Sequence, residues 1–359
     1  MHSSRAPILG KDDLMNPGHL GCPGCGATIA MKFALQALGE KTMVVIPACC
    51  WGVIAGPYPQ SALQVPILHT AFATAGAAAS GLLPASWFRD VDPATVEKQK
   101  RSGKLTLELV SHCWRYGHYL VYQLSSLVHH RTDKLDVTMS VYYSSEDESV
   151  VRVLRFFEKI EVPGLTWNWV ELPKEKLFRR SIGRNLAAKS TSADWVWFTD
   201  CDVMFHEGCL DALADELQGR DDVLLFPRIG LGTALLPDDD PVLVNGRGEP
   251  ALLDIPLEQF TPYGGPRTKA QGPYQITHGD VARACGYCES IGHYQKPSDH
   301  WRKAYEDRAF RWLMGTPGTA IDVPGACQIR HVSKGRYKKD SAKSKVREFV
   351  RKSQDQIRK

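Results

Sequence analysis

From Leu105 onward, short apolar runs alternate with amphipathic ones. Leu105–His112, Val137–Tyr143, Thr166–Leu172 and Trp195–Thr199 are rich in β-branched, aromatic and aliphatic residues and predict strands. Between them, Tyr116–His130, Ser149–Ile160 and Phe178–Ser190 carry helical spacing. In the second of these, Val150, Val153, Leu154 and Phe157 share one face. A fourth helix, Glu207–Leu217, turns Leu210, Leu213 and Leu217 inward, and Val223–Pro227 adds a further strand. The order β-α-β-α-β-α-β predicts a doubly wound α/β sheet, which binds ligands at the carboxyl ends of its strands.

The pattern upstream is different. Residues 19–82 are rich in Gly, Ala, Pro and Cys and poor in charge, and Phe72–Leu82 (FATAGAAASGL) has the small residues of a closely packed helix. Arg89–Lys104 is polar and broken by Pro93 and Gly103, the composition of a linker. The 359 residues suit two units better than one. The expected boundaries are an extension 1–18, a first unit 19–82, a linker 83–104, a second unit 105–336 and a basic tail 337–359.

Charge and cysteine content refine this. From Lys334 to the end there are eleven Lys and Arg against three Asp and Glu. The other 33 basic and 37 acidic residues leave the body slightly negative. Such a tail suits peripheral contact with an anionic membrane surface, while no nucleic-acid partner is expected. No run is long and apolar enough to span a bilayer, and the opening residues lack the apolar core of a signal peptide. Ten cysteines in a chain of this size do not form a secreted disulfide framework, so a reducing, cytoplasmic setting is expected.

The most informative stretch is Ser181–Phe205. A buried strand delivers Asp200-Cys201-Asp202 at its carboxyl end. Two carboxylates this close at a strand end are unfavourable without a cation, and hard oxygen ligands suit Mg²⁺ or Mn²⁺. An acidic turn after a strand also occurs with no such role, so context has to decide. The stretch resembles the family 2 glycosyltransferases and other enzymes of the GT-A fold, a Rossmann-like nucleotide-diphospho-sugar transferase fold. These carry an Arg-Asn helix, an apolar strand and Asp-x-Asp. The matching residues are Arg184, Asn185, Trp195–Phe198, Asp200 and Asp202. The resemblance implies that Asp200 faces the nucleotide ribose and Asp202 binds the metal, with Arg184 and Asn185 on the donor side.

Downstream, Thr268–Gly292 resembles the family's acceptor-side segment, and Glu306-Asp307 with Phe310 and Arg311 resembles its Glu-Asp-x-x-Phe helix start. There the second acid is the general base of inverting members, so Asp307, with Glu306 beside it, is the catalytic candidate. In a retaining alternative Asp307 only positions the acceptor. A late His completes the metal shell in several GT-A enzymes, which points to His331. Arg330, Lys334 and Arg336 either contact the diphosphate or simply begin the tail. The nucleotide is expected against Ser111–Trp114 and Ser144–Asp147, so Ser111 and Asp147 are donor-site candidates, although the usual Pro-x-Tyr-Asn turn is replaced by SHCWRY. The implied activity is metal-dependent transfer from a nucleotide-sugar, UDP-sugar by analogy, to a glycan, lipid or protein acceptor. The Pro- and Gly-rich stretch Leu235–Gln271 is expected to be an acceptor loop or lid.

Residues 19–82 resemble the start of the β subunit of pyruvate (2-oxoacid):ferredoxin oxidoreductases, a thiamine-diphosphate-binding α/β protein. The resemblance lies in Cys22-Pro23-Gly24-Cys25-Gly26, a strand ending at Cys49-Cys50, and His69 with Ala71-Phe72. It implies that Cys22, Cys25 and Cys50 stand where that family ligates an iron-sulfur cluster. The Gly-Asp-Gly motif that holds the family's Mg²⁺-thiamine diphosphate is absent from this chain. The expectation is therefore a truncated fragment fused to an unrelated enzyme; the alternative is a working relative of the oxidoreductase subunit.

Overall fold

The computed structural model describes residues 13–40, 42–57, 60–82, 85–300 and 305–332. The expected tail 337–359, with Lys334 and Arg336, lies outside the described residues, as do residues 1–12 of the extension. The chain divides into two compact units between Trp87 and Phe88.

In the first unit, α1 (Gly26–Leu38) leads to β1 (Val44–Pro47), α2 (Cys50–Ala55), β2 (Ile67–Thr70) and α3 (Ala75–Leu82). β1 and β2 pair in parallel. Its core is small: Leu14, Met15, Met31, Leu35, Ile46, Ile54, Ala55, Leu63 and Val65. The small-residue helix α3 buries no side chain, contrary to the close packing expected from its sequence. Phe72 and Leu38 stand largely exposed. Among the described residues, two strands and nine core residues give little apolar burial to set against chain entropy.

The second unit begins with the sequence-predicted alternation: β3 (Leu105–His112), α4 (Gly117–His129), β4 (Leu135–Tyr143), α5 (Glu148–Phe157) and β5 (Leu165–Glu171). Then come α6 (Lys174–Leu177), α7 (Arg180–Ser190), β6 (Trp195–Phe198), β7 (Val203–Phe205), α8 (Cys209–Leu217) and β8 (Leu224–Pro227). The remainder holds β9 (Leu231–Gly232), α9 (Pro241–Gly246), β10 (Thr261–Pro262), β11 (Gln275–His278), α10 (Gly279–Cys285), α11 (Gly292–Gln295), α12 (Glu306–Met314), β12 (Thr319–Ile321) and β13 (Ala326–Gln328).

The main sheet runs β12-β8-β11-β6-β3-β4-β5. β3 pairs in parallel with β4 and β6, and β11 is antiparallel to both β6 and β8. In this mixed α/β sheet the first strand, β3, lies between β6 and β4, and one antiparallel strand, β11, lies beyond β6. A second sheet, β10-β9-β13-β7, holds the segment that follows Asp202. One apolar cluster gathers α4, α5 and α8 on one face of the main sheet, and another gathers α7, α10 and α12 on the other. Trp195 and Trp197 point to the first face, Val196 and Phe198 to the second, and all four are buried.

Two expectations need correcting. Residues 88–104 are not a free linker but are fastened to the second unit. Phe88 packs on Trp312 with ring centres 5.4 Å apart, the Gly103 amide donates to Gln218 Oε1 at 2.7 Å, and Arg101 pairs with the largely buried Asp194. Side-chain anchoring of this kind leaves no signature in polar composition. The stretch Leu235–Gln271 is also not one long loop, since α9, a turn of 3₁₀ helix (Leu257–Gln259) and β10 punctuate it.

Candidate functional site

The acid turn is held from behind by two buried networks. Ser111, at the end of β3, donates its hydroxyl to Gln123 Oε1 at 2.7 Å, and Gln123 Nε2 donates to the carbonyls of Asp200 and Val203, both at 2.9 Å. An amide with both ends satisfied in a dry interior fixes the backbone it bonds. The second network comes from α7. Arg184 is wholly buried and donates to Tyr287 Oη at 2.8 Å, to the Thr199 carbonyl at 3.1 Å and to Asp200 Oδ1 at 3.2 Å. One turn earlier, Arg180 donates to Asp200 Oδ1 at 2.6 Å and to Glu306 Oε1 at 2.9 Å. A single guanidinium therefore ties the strand-end turn to the start of α12.

Asp202 projects differently. Its Oδ2 accepts from Gln328 Nε2 at 3.3 Å and lies 3.9 Å from Nε2 of His331. His331 is buried, its ring 4.4 Å from that of Tyr119. A carboxylate oxygen and an imidazole nitrogen at this separation are within reach of one cation at usual bond lengths of about 2.0–2.2 Å. Hard oxygen with borderline nitrogen suits Mn²⁺ or Mg²⁺, so the residues present fit the implied metal.

Asp307, half-buried in the first turn of α12, accepts from the Gly272 amide at 3.3 Å. Gln271, the next residue back, and Gln328, the partner of Asp202, both line a cleft of about 990 Å³. The cleft is also walled by Arg267 stacked over Tyr274 at 3.7 Å and by Arg330 over Tyr263 at 3.9 Å. The cleft is thus lined by Gln328, which donates to Asp202, and by Gln271, the neighbour of the Gly272 amide that Asp307 accepts. A second cleft of about 640 Å³ opens beyond the carboxyl ends of β3, β4 and β5, lined by Trp114, Arg115, Glu146, Asp147, Lys174 and Phe178 among others. It occupies the place the sequence assigned to the nucleotide.

The structure redistributes several expected roles. Arg184 and Ser111 are fully buried, so they support the turn and cannot touch a donor. Asn185 accepts the Tyr287 amide at 2.8 Å and fixes the Gly286 turn rather than a ligand. Asp147 caps α5, accepting from Val150 N at 3.4 Å, from the Ser149 hydroxyl at 2.6 Å and from the Arg115 amide. It therefore shapes the rim of the smaller cleft. Glu306 is buried and spoken for by Arg180, so it positions α12 and does not face substrate. Its burial alone would raise the carboxyl; the Arg180 charge, a backbone amide and Arg184 outweigh that and hold it below its ordinary range. Sequence reading missed Arg180, though its four-residue spacing from Arg184 puts both on one face of α7. It also missed Gln123 and Phe178, which no motif marks, while Trp114 lies in the stretch expected against the nucleotide.

In the first unit, Cys22 and Cys50 are exposed, and Cys25 precedes α1. The Thr28 and Ala27 amides at that helix start lower the Cys25 thiol, favouring thiolate. A cluster ordinarily takes four thiolates, and the resemblance supplies three.

No family model matches the chain. Among curated proteins it is similar to the ketoisovalerate oxidoreductase subunit VorB of Pyrococcus horikoshii, 57% identical over 65 residues, which are 18% of this chain and 21% of that protein. It is also 36% identical over 115 residues to the pyruvate synthase subunit PorB of Methanothermobacter thermautotrophicus, 31% of this chain and 40% of that one. The chain therefore spans only about a fifth to two fifths of these relatives. The longer match exceeds the 64 residues expected from the sequence. Among solved structures, S. aureus TarS 1-349 in complex with UDP-GlcNAc overlaps 65% of this chain and 60% of its own, with 14% identity and a TM-score of 0.40. TarS 1-349 alone overlaps 64% and 61% with 15% identity and a TM-score of 0.39. Overlaps this distant carry no argument.

Proposed function

We propose that the second unit is a metal-dependent glycosyltransferase. It moves a sugar from a nucleotide-diphospho-sugar, taken as a UDP-sugar, to an acceptor hydroxyl with inversion. The observation that carries the reading is the pairing of Asp202 with His331 at the end of β6, with Gln328, which donates to Asp202, lining the same cleft as Gln271, the neighbour of the Gly272 that donates to Asp307. Asp202 and His331 would hold Mn²⁺ or Mg²⁺, which when bound neutralises the departing diphosphate.

The remaining steps belong to the chain. Asp307 takes the proton of the acceptor hydroxyl as its oxygen bonds the anomeric carbon, while the bond from that carbon to the diphosphate oxygen breaks and its electron pair leaves with the nucleoside diphosphate. Arg180 holds Asp200 and Glu306 at fixed separation, so the donor turn and the base-bearing helix keep their registration. The walls of the larger cleft seat the acceptor and exclude water that would otherwise hydrolyse the donor. Single-turnover transfer, scanned over UDP-sugars and acceptors with Mn²⁺, tests the reading; turnover that ignores both Mn²⁺ and Asp307→Asn overturns it.

A second reading applies to the first unit alone, and the 57% match over 65 residues favours it. It is a remnant of an oxidoreductase β subunit, whose thiols would hold iron and sulfur only with a fourth ligand from elsewhere. Absorbance of the anaerobically purified chain tests this: a colourless protein fits a remnant, and a brown one fits a working cluster.

A further inference from the structure

α4 and β7 run side by side. Gln123 bonds the Val203 carbonyl, and one helical turn later the Ser126 hydroxyl accepts the Phe205 amide at 3.0 Å. The register carries on to the residues that follow both elements, His130 and His206, whose rings stack with centres 4.4 Å apart at 26°. A third chain segment arrives at the same point because the Leu253 amide donates to Ser125 Oγ at 3.0 Å, which brings Asp254 beside the pair. His130, His206 and Asp254 each present a ligand atom within 4.8 Å of the others, with His130 Nε2 3.9 Å from Asp254 Oδ1.

The surroundings point to a ligand. Nε2 of His130 and Nε2 of His206 are both buried with no hydrogen-bond partner among the described residues. His206 is 7% exposed, so that nitrogen has no water to satisfy it. An orphaned buried polar atom is unfavourable, and two facing each other beside a carboxylate are satisfied together by a cation. Two imidazoles and one carboxylate make a donor set that suits a borderline divalent ion of the zinc class.

We propose that His130, His206 and Asp254 form a second, structural site for a zinc-class divalent cation, separate from the donor metal site. The site lies at the far end of β7 from Asp202, and it clips α4, β7 and the Leu235–Gln271 stretch together. His206 Nδ1 accepts the Glu207 amide at 2.9 Å. Loading Nε2 moves the ring proton to Nδ1 and releases that amide. The cation would therefore brace the wall of the acceptor cleft and take no part in transfer.

The test is calorimetric titration of Zn²⁺ into the full chain after iodoacetamide has blocked the accessible thiols, which would otherwise bind it. One binding event is expected in the wild type. It should weaken at least tenfold in Asp254→Asn, a substitution at an exposed side chain that leaves folding intact, and vanish in His206→Gln. Asp202→Ala should bind Zn²⁺ as the wild type does. The proposal is overturned if the wild type shows no binding, if Asp254→Asn and His130→Asn bind like the wild type with unchanged circular dichroism, or if Asp202→Ala abolishes the event. Loss of UDP binding alone would sink the transferase reading and leave this one standing.

Discussion

Nε2 of His331 lies 3.9 Å from Oδ2 of Asp202, although the two residues come from separate strands' ends in the second sheet. β13 and β7 pair antiparallel, with Gln328 opposite Val203, and the Ile329 amide donates to the Asp202 carbonyl at 2.8 Å. Backbone pairing thus sets the distance between the two side chains before any ligand arrives. A preformed pair of this kind lowers the ordering cost of binding a cation.

The pair makes His331 separable from the acid. His331→Ala should weaken Mn²⁺ affinity at least tenfold, as equilibrium dialysis of the metal against variant and wild type would read. Equal Mn²⁺ affinity in the variant and the wild type would remove His331 from the metal site.

Asp307→Asn should lower turnover by about 10²–10⁴-fold, the usual contribution of a positioned base, with little change in donor affinity. The side chain keeps its size and can still accept the Gly272 amide, so the expected loss is in kcat and not in stability. A variant that keeps full turnover would move the base elsewhere.

Arg180 carries a structural prediction with a definite pH dependence. Arg180→Leu strands Glu306 as a buried unpaired carboxylate and should cost about 3–5 kcal/mol at neutral pH. In the wild type the Glu306 carboxyl lies below its ordinary 4.5, so its stabilising contribution is present above that value and is lost as pH falls through the folded value. In the variant burial is no longer opposed by Arg180, the folded value rises, and protonation removes the penalty. The gap between wild type and variant should therefore shrink as pH falls from 7 towards 4 in urea denaturation. A gap independent of pH would mean that the ion pair is not its source.

Gln123→Leu should destabilise by about 1–3 kcal/mol, because the Ser111 hydroxyl and the Asp200 and Val203 carbonyls lose their buried partner. It should also slow transfer, since those carbonyls fix the acid turn. Thermal denaturation with a parallel rate measurement separates the two effects; an unaltered rate would confine Gln123 to packing.

Much of the second unit is legible in the sequence because its inner strands β3, β6, β8 and β11 are buried on both faces. Leu105–His112 has the same bounds in the structure as in the apolar pattern, and Trp195–Phe198 differs by one residue. Asp200, Asp202 and Asp307 are legible because acids at an exposed strand end or helix start are conspicuous. The support behind them is not. Arg184, Ser111 and Asp147 are named by the pattern of neighbouring motifs, but whether a polar side chain faces a ligand or the interior depends on partners outside those motifs, Tyr287 for Arg184, Gln123 for Ser111 and the Arg115 amide for Asp147. Arg180 escaped for the same reason, as its meaning comes from Glu306. The antiparallel β11 is a four-residue strand whose sequence, QITH, carries no sign of direction.

The most direct measurement is thermal stabilisation by UDP with Mn²⁺, in the wild type and in Asp202→Ala. At about 100 times its dissociation constant a ligand adds roughly 2.7 kcal/mol to stability. The account predicts a shift in the wild type that requires Mn²⁺ and disappears in Asp202→Ala. No shift with UDP or any other nucleoside diphosphate, or the same shift in both proteins, would contradict it.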